Sequence, residues 1–146
     1  MKSLKTIKRL LETKGREIFT VGPDQWVFDA IQKMADKSVG AHLVMTSGKP
    51  VGIISERDYA RKVILQGRSS KETKISEIMT TTVVYCKEGQ TIEECMAIMT
   101  EKHVRHLPVL SGTGDLCGFV SLGDLVKNMI AEQKFVIEQL ENYIYG

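Results

Sequence analysis

The sequence lacks the features that mark several large classes of protein. Its three cysteines, Cys86, Cys95 and Cys117, form no CxxC pair and are odd in number, so they predict neither a disulfide framework nor a zinc site. No apolar run approaches the roughly 18 residues of a membrane-spanning helix. The first 15 residues, MKSLKTIKRLLETKG, lack the apolar segment of a secretory signal. We therefore expect a soluble, cytoplasmic protein with no membrane partner, in which Cys95 acts as a small apolar residue.

Excess charge and recognised catalytic motifs are also missing. The chain has 20 Lys and Arg residues against 18 Asp and Glu residues, a formal net charge of +2. This balance does not predict nucleic-acid binding, which normally needs a strong basic excess on one face. There is no P-loop, nucleophile elbow or GxGxxG, and His42, His103 and His106 are not spaced as metal ligands. We expect no enzyme, no catalytic cofactor and no metal.

What the chain does contain is an internal repeat. At an offset of 65, the apolar positions of residues 27–34 align with those of 92–99, and both sets have the i, i+3, i+4, i+7 spacing of a buried helix face. The short strand 42–45 aligns with 107–110. Glycine turns, TSGKP and SGTGD, then predict hairpins. The second turn is one residue longer, so GIIS from Gly52 aligns at offset 66 with GFVS from Gly118.

Further elements complete each half. Extended pieces at Ile18–Thr20 and Val83–Tyr85 precede the first helices, and second helices follow the hairpins. Their predicted buried stripes are Ala60, Val63 and Ile64 in the first half and Val126, Met129 and Ile130 in the second. Each half alone buries its sheet poorly, so we expect the two to cover each other. The predicted domains are an N-terminal helix (1–15), repeat 1 plus linker (16–78), repeat 2 (79–131) and a C-terminal helix extension (132–146).

The two ends of the chain each have an apolar pattern. Leu4, Ile7 and Leu11 predict a packing helix at the N-terminus. At the C-terminus, isoleucines recur every seven residues, with apolar residues at d-like positions and one interruption at Gln133; the isoleucines are Ile130, Ile137 and Ile144, and the d-like residues are Val126 and Leu140. This segment is too short for a sustained coiled coil. It packs either on the N-terminal helix or, as we favour, against a second copy in a dimer.

The repeated pattern Gly-apolar-apolar-Ser-x-x-Asp resembles the CBS domain. It occurs as GIISERD and GFVSLGD, each after an apolar-Val-apolar strand and a glycine hairpin, and ISEIMT and RHLPV are also typical. Two copies in tandem resemble a Bateman module, and the chain is most similar to small stand-alone bacterial CBS pairs. The resemblance covers about residues 16–131. It implies an α/β (α+β) fold of two strand-helix-strand-strand-helix repeats packed about a pseudo-two-fold axis, with extra N- and C-terminal helices.

The resemblance also implies a function. CBS pairs are sensors that bind adenosine compounds, such as AMP, ADP, ATP, NAD or S-adenosylmethionine, in the clefts between the repeats, and they often form flat dimers. For this chain we expect AMP, ATP or NAD as the ligand, a homodimer, and an unidentified protein partner. One rival hypothesis is a structural dimerisation scaffold whose clefts stay empty. Another is a redox or nucleotide-transforming enzyme.

The repeated serine and aspartate suit a nucleotide chemically. An ionised carboxylate accepts hydrogen bonds from both ribose hydroxyls, so Asp58 and Asp124 are the candidate ribose ligands. Ser55 and Ser121, three residues earlier, each offer a hydroxyl to a phosphate. Both residue types are also ordinary helix caps. For one isolated corner capping is the better interpretation, whereas two matched corners favour ligand binding.

The remaining candidate residues differ between the halves. Arg57 and Arg61 share a helix face in the first half, and Arg105 and His106 stand in the second half where the first has Gly40 and Ala41. These four are candidate phosphate contacts, and they predict one phosphate-rich site and one weaker or different site. The alternative is a solvated face with an Asp58–Lys62 salt bridge; His103 is predicted to end a helix. By resemblance, the candidate adenine contacts are Thr20, Val21, Gly40, Ala41, His42, Val83, Tyr85 and Leu107.

Overall fold

The computed structural model describes residues 5–145, which form two compact units. The first unit is the continuous segment Ile18–Val83. The second unit combines residues 5–17 with residues 84–145, so the chain leaves it and returns to it. Among the described residues, no helix is long and apolar enough to cross a membrane. The predicted mixed fold with two sheets and flanking helices is confirmed.

The first unit is a three-stranded sheet covered by helices. Its elements are β1 (Thr20–Val21), α2 (Val27–Lys37), β2 (Ala41–Thr46), β3 (Lys49–Ser55), α3 (Glu56–Tyr59), a π-helical turn (Ala60–Ile64) and a 3₁₀ turn (Ile75–Glu77). The strand order is β1-β2-β3, with β1 parallel and β3 antiparallel to β2. Ser47 and Gly48 both have positive φ, which gives the β2–β3 hairpin its tight two-residue turn.

The second unit repeats this plan, adds one helix before it and prolongs its last helix to Tyr145. Its elements are α1 (Ile7–Lys14), β4 (Cys86–Lys87), α4 (Ile92–Lys102), β5 (His106–Leu110), β6 (Leu116–Ser121) and α5 (Leu122–Tyr145). The sheet order is β4-β5-β6, with the same parallel and antiparallel pairings. Ile7, Leu10 and Leu11 of α1 are fully buried in the core of this unit, together with Cys95. Leu4, the other predicted packing residue, lies outside the described residues.

The predicted stripe is confirmed in both first helices, but in each second helix only one of its three predicted residues lies against the core. Val63 is buried, whereas Ile64 is 55% exposed, because the backbone N–H of Leu65 bonds to the Ala60 carbonyl in a π-helical turn that alters the helical phase. In α5 the fully buried residue is Leu125 and not its neighbour Val126, which faces outwards. Met129 is partly buried against the core, as predicted, whereas Ile130 is 49% exposed.

The two shortest strands lie further along the chain than predicted. The extended piece expected at Ile18–Thr20 pairs only from Thr20, and the one expected at Val83–Tyr85 forms no strand. Instead, Cys86 pairs with Val109, and both side chains are buried in the core. The threonine-valine run before Cys86 has high β propensity, but burial in the core selects the register.

The glycine of each repeated motif permits a close approach. A Cβ atom on Gly52 would lie 2.9 Å from the backbone oxygen of Thr80, and one on Gly118 would lie 2.7 Å from Cδ1 of Leu11. Beside Gly52, the Ile53 backbone exchanges two hydrogen bonds with Thr80, both 2.9 Å long. Equivalent strand positions are thus covered by the interrepeat linker in the first unit and by α1 in the second.

Candidate ligand-binding corners

The serine and aspartate of each motif form a closed cap at the strand-to-helix junction. We call Ser55–Asp58 the first corner and Ser121–Asp124 the second corner. In the first, the backbone N–H of Asp58 donates to the Ser55 hydroxyl, while the backbone N–H and hydroxyl of Ser55 both donate to Oδ2 of Asp58, at 3.0 Å each. In the second, the same two backbone bonds measure 3.1 and 2.8 Å. Capping, the alternative interpretation, is therefore present in both corners.

A lysine neutralises the carboxylate in each corner. Lys62 Nζ lies 3.0 Å from Oδ1 of Asp58, which confirms the salt bridge considered from the sequence. Lys14 Nζ, from α1, lies 2.8 Å from Oδ2 of Asp124. Burial opposes ionisation of Asp124, but hydrogen bonds from Lys14 and from the Ser121 backbone hold its pKa below the ordinary value. Each carboxylate therefore lies beside a cation and accepts a hydrogen bond from the serine of its own corner.

Two residues of these corners were not predicted from the sequence. Lys14 belongs to a helix more than 100 residues away along the chain, and it also donates to the Phe119 carbonyl. Thr80, in the linker, donates its hydroxyl to Oδ1 of Asp58 at 3.3 Å. Only tertiary packing brings these two residues to the carboxylates, so no local pattern signals them. Lys62, by contrast, is visible as the i+4 partner of Asp58.

The start of the middle strand lies against the corner in both units. Ala41 pairs with Ser55, and the Glu56 backbone N–H donates to the Gly40 carbonyl at 3.1 Å. In the second unit, His106 pairs with Ser121, and the Leu122 backbone N–H donates to the Arg105 carbonyl at 2.9 Å. The structure therefore brings the predicted residues at the two strand starts together with the serine of their own repeat.

The cationic candidates are exposed around these corners. Arg57, Arg61 and Arg105 are exposed, and none of them forms a salt bridge with any residue in 5–145. Their guanidinium groups are thus available to an anion. His103, as predicted, ends a helix: it is the exposed C-cap of α4, with a left-handed φ of 55°.

His106 is a weaker candidate for a phosphate contact than a positively charged histidine would be. Its ring stacks on Phe119 with centroids 5.8 Å apart. Burial above all lowers the pKa of His106, to about 4; the charges of Lys14 and Arg105 act in the same direction, and Asp124 opposes them. His106 is consequently neutral at pH 7, and it can offer a phosphate a hydrogen bond but no positive charge.

The candidate adenine contacts lie in both units. Thr20 and Val21 are in β1, and the Thr20 carbonyl accepts a 2.6 Å bond from Lys33. Gly40 is half-buried and lines a groove of about 360 Å³ between α2 and the first corner. Ala41, His42 and Leu107 are buried in the middle strands. Val83 ends the first unit, and Tyr85 precedes β4 in the second.

His42 is a polar residue at a core position. Its side chain is fully buried, and neither ring nitrogen has a hydrogen-bond partner among the described residues. Burial, and then the charge of Lys33, lower the pKa of His42, while the nearby Phe19 backbone partly opposes them. Its equivalent at offset 65 is Leu107. His42 can present only its backbone to a ligand in this arrangement.

We expect the free energy of unfolding to fall as the pH is lowered from about 6.5 to about 4. Unfolded histidine takes up a proton near pH 6.5, whereas folded His106 does so only near pH 4, so protons favour the unfolded chain in this window. The slope for one histidine is at most about 1.4 kcal/mol per pH unit. Urea unfolding of the wild type and of His106→Gln at several pH values measures it. Equal slopes in both proteins would contradict the prediction.

Comparisons with known proteins agree with the repeat. The CBS domain family matches residues 9–64 and again residues 75–131. The mitochondrial CBS domain-containing protein CBSX3 of Arabidopsis thaliana is 36% identical over 97% of this chain and 72% of its own length. A protein with CBS domains from Burkholderia ambifaria is 52% identical, with a TM-score of 0.84 over 88% of this chain and 96% of that one.

A third comparison extends the fold to a protein with bound ligands. A CBS domain pair solved in complex with methylthioadenosine and S-adenosyl-L-methionine superposes with a TM-score of 0.77, over 89% of this chain and 99% of that one. At 21% identity this likeness shows the shared fold. Two family matches that together span more than half of the chain, on two units of the same topology, lead to one conclusion. The chain belongs to the CBS domain family and carries two copies of the domain.

Proposed function

We propose that this CBS pair is a regulatory module that binds adenosine nucleotides, namely AMP, ATP or NAD, and catalyses no reaction. The observation that carries the proposal is the matched geometry of the two corners. Each places an aspartate, hydrogen-bonded to a serine and paired with a lysine, at the same strand-to-helix junction. The related fold that holds two adenosine compounds supports the ligand class.

Ligand binding at a corner is an exchange of partners. The ribose hydroxyls donate to the carboxylate of Asp58 or Asp124 and replace the lysine that is paired with it. The released ammonium of Lys62 or Lys14 then faces the phosphate of the same ligand. The ribose hydroxyls replace the lysine at the carboxylate, and the phosphate replaces the carboxylate at the lysine. The carboxylate is therefore never left buried without a partner, which would cost free energy.

The two corners are expected to differ in their preference for phosphate. Arg57, Arg61 and Lys62 surround the first corner with three cations on one short segment. The second corner has Lys14 and Arg105, while His106 is neutral. Since arginine binds phosphate oxygens bidentately, we propose that the first corner takes the more highly phosphorylated ligand.

Thermal unfolding with AMP, ADP, ATP, NAD and S-adenosylmethionine tests the proposal. A ligand at 100 times its Kd adds about 2.7 kcal/mol to the free energy of unfolding. We expect Asp58→Asn to abolish the shift produced by the phosphorylated ligands, and Asp124→Asn to affect the other site. Asp36→Asn, an exposed residue of α2, is the matched control and should keep every shift.

Two other outcomes would favour the rival functions. Both oxygens of the Asp58 carboxylate already have partners, as in a capped junction that needs no ligand. Absence of a shift with all five ligands would therefore identify the corners as caps and the chain as a scaffold. Conversion of a nucleotide on prolonged incubation would identify an enzyme.

We also propose a homodimer, whose change of shape or of partner binding is the output signal.

A further inference from the structure

The last helix, α5, has two separate apolar faces. The inner face packs on the core of the second unit through the fully buried Leu125 and the partly buried Met129, and Val136, which is half-buried, lies on the same face. The other face, which we call the outer stripe, consists of Val126, Ile130, Ile137, Leu140 and Ile144. At 100° per residue, the outer stripe is centred about 85° around the helix from the inner face.

The outer stripe is exposed along its whole length. The exposed fraction rises from 38% at Val126 to 49% at Ile130, 54% at Ile137 and 67% at Ile144. Neither α1 nor any other described segment covers the stripe, although Leu125, on the inner face, shares a core with Ile7 and Leu11 of α1. Five large aliphatic side chains on one exposed face form a surface of the kind that another protein covers.

We propose that this surface binds the outer stripe of a second copy of the chain, as an antiparallel pair of α5 helices. This deepens the homodimer proposed above by naming its contact. The stripe follows a heptad repeat, with isoleucine at the a positions and Val126, Gln133 and Leu140 at d. A stripe of this kind is complementary to itself, which is what a two-fold dimer requires.

The charges beside the stripe select the antiparallel orientation. The e positions hold Lys127, Lys134 and Glu141, whereas the g positions hold Met129, Val136 and Tyr143. A parallel pair would set the e positions of one helix against the apolar g positions of the other. An antiparallel pair sets e against e, so that Lys127 lies opposite the partner's Glu141 and both charges are matched.

The apolar residues select the register. When the two helices cross at residue 135, Val126 packs against the partner's Ile144, and Ile130 packs against the partner's Leu140. This register buries every residue of the outer stripe. It also sets Lys134 against its own copy on the exposed flank, which is a smaller loss because exposed charge pairs contribute less than buried aliphatic side chains.

Sedimentation equilibrium on the whole chain tests the contact. We expect Ile137→Asp to raise the dimer Kd at least tenfold while leaving the thermal unfolding of each unit unchanged, because Ile137 lies outside both cores. Phe135→Asp is the matched control: Phe135 is 61% exposed but lies on the opposite side of α5, and its variant should dimerise normally. A dimer that is unaffected by Ile137→Asp would overturn the proposed contact, although the homodimer itself would stand.

Charge variants test the orientation independently and do not disturb folding. Lys127→Glu should weaken the dimer about three- to tenfold, and the combined variant Lys127→Glu with Glu141→Lys should restore it. If neither variant changes the dimer Kd, the antiparallel pairing is overturned. A monomer at all concentrations would overturn both the pairing and the homodimer. None of these variants touches Asp58 or Asp124, so nucleotide-induced shifts report on the proposed ligand site separately.

Discussion

The Gly52→Ala variant is expected to lose about 2–4 kcal/mol of unfolding free energy, the largest effect of any single methyl group in the first unit. The new Cβ would lie 2.9 Å from the Thr80 carbonyl oxygen and 2.9 Å from the Met79 sulfur. Overpacking costs roughly 1–3 kcal/mol. Because the obstacle is backbone, the linker must move away from β3, and the two Ile53–Thr80 hydrogen bonds, worth roughly 0.5–1.5 kcal/mol each, are weakened.

Urea unfolding of Gly52→Ala measures this loss, with Gly22→Ala as the control. A Cβ on Gly22 meets its nearest neighbour at 3.6 Å, an ordinary contact, so its substitution should cost little. The same movement withdraws the Thr80 hydroxyl from Asp58, so we also expect weaker nucleotide binding at the first corner. A loss below about 0.5 kcal/mol would mean that the linker yields easily, and it would contradict the prediction.

The second large effect is expected at the contact of α1 with β6. Leu11→Ala should cost about 2–5 kcal/mol, since Leu11 is fully buried and its removal leaves a cavity. Gly118→Ala alone should cost about 1–3 kcal/mol, because its Cβ would meet both δ-carbons of Leu11 within 2.8 Å. In the double variant the alanine at 118 occupies part of the cavity, so the combined cost should fall well short of the sum.

A double-mutant cycle measured by urea unfolding gives this coupling. Leu10→Ala is the matched control. Leu10 is also a fully buried leucine of α1, but the three heavy atoms nearest to a Cβ on Gly118 all belong to Leu11. The costs of Leu10→Ala and Gly118→Ala should be closer to additive. An additive Leu11/Gly118 cycle would show that α1 shifts as a body and that the leucine does not meet the new methyl group.

The parts of the fold that were predicted from the sequence are those with a strong local signal. The first helix of each repeat has apolar residues at i, i+3, i+4 and i+7, and Val27, Ala30 and Met34 are buried as that spacing predicts. The β2–β3 hairpin follows from a glycine turn. The π-helical turn after Tyr59 gives no such signal, so Ile64 was placed in the core and lies outside it. Strands of two residues are too short for periodicity to set their limits.

The candidate corners show the same division. The repeat alone indicates Ser55, Asp58, Ser121 and Asp124, because their spacing is repeated. It cannot indicate Lys14 or Thr80, whose contacts with the aspartates are set by the packing of a distant helix and of the linker. Nor can it indicate that His106 is neutral, since burial against Phe119 determines its pKa.

The division of the second unit into two chain segments has a consequence for synthesis. The first unit is continuous, so all of its strands are available once residue 83 has been made. Helix α1 is made earlier, but its partners Val109, Val120 and Leu125 follow about a hundred residues later. At a synthesis rate of roughly 5–20 residues per second, several seconds pass before the residues that cover the apolar face of α1 have been made. The apolar face of α1 therefore stays exposed during synthesis until most of the second unit has been made.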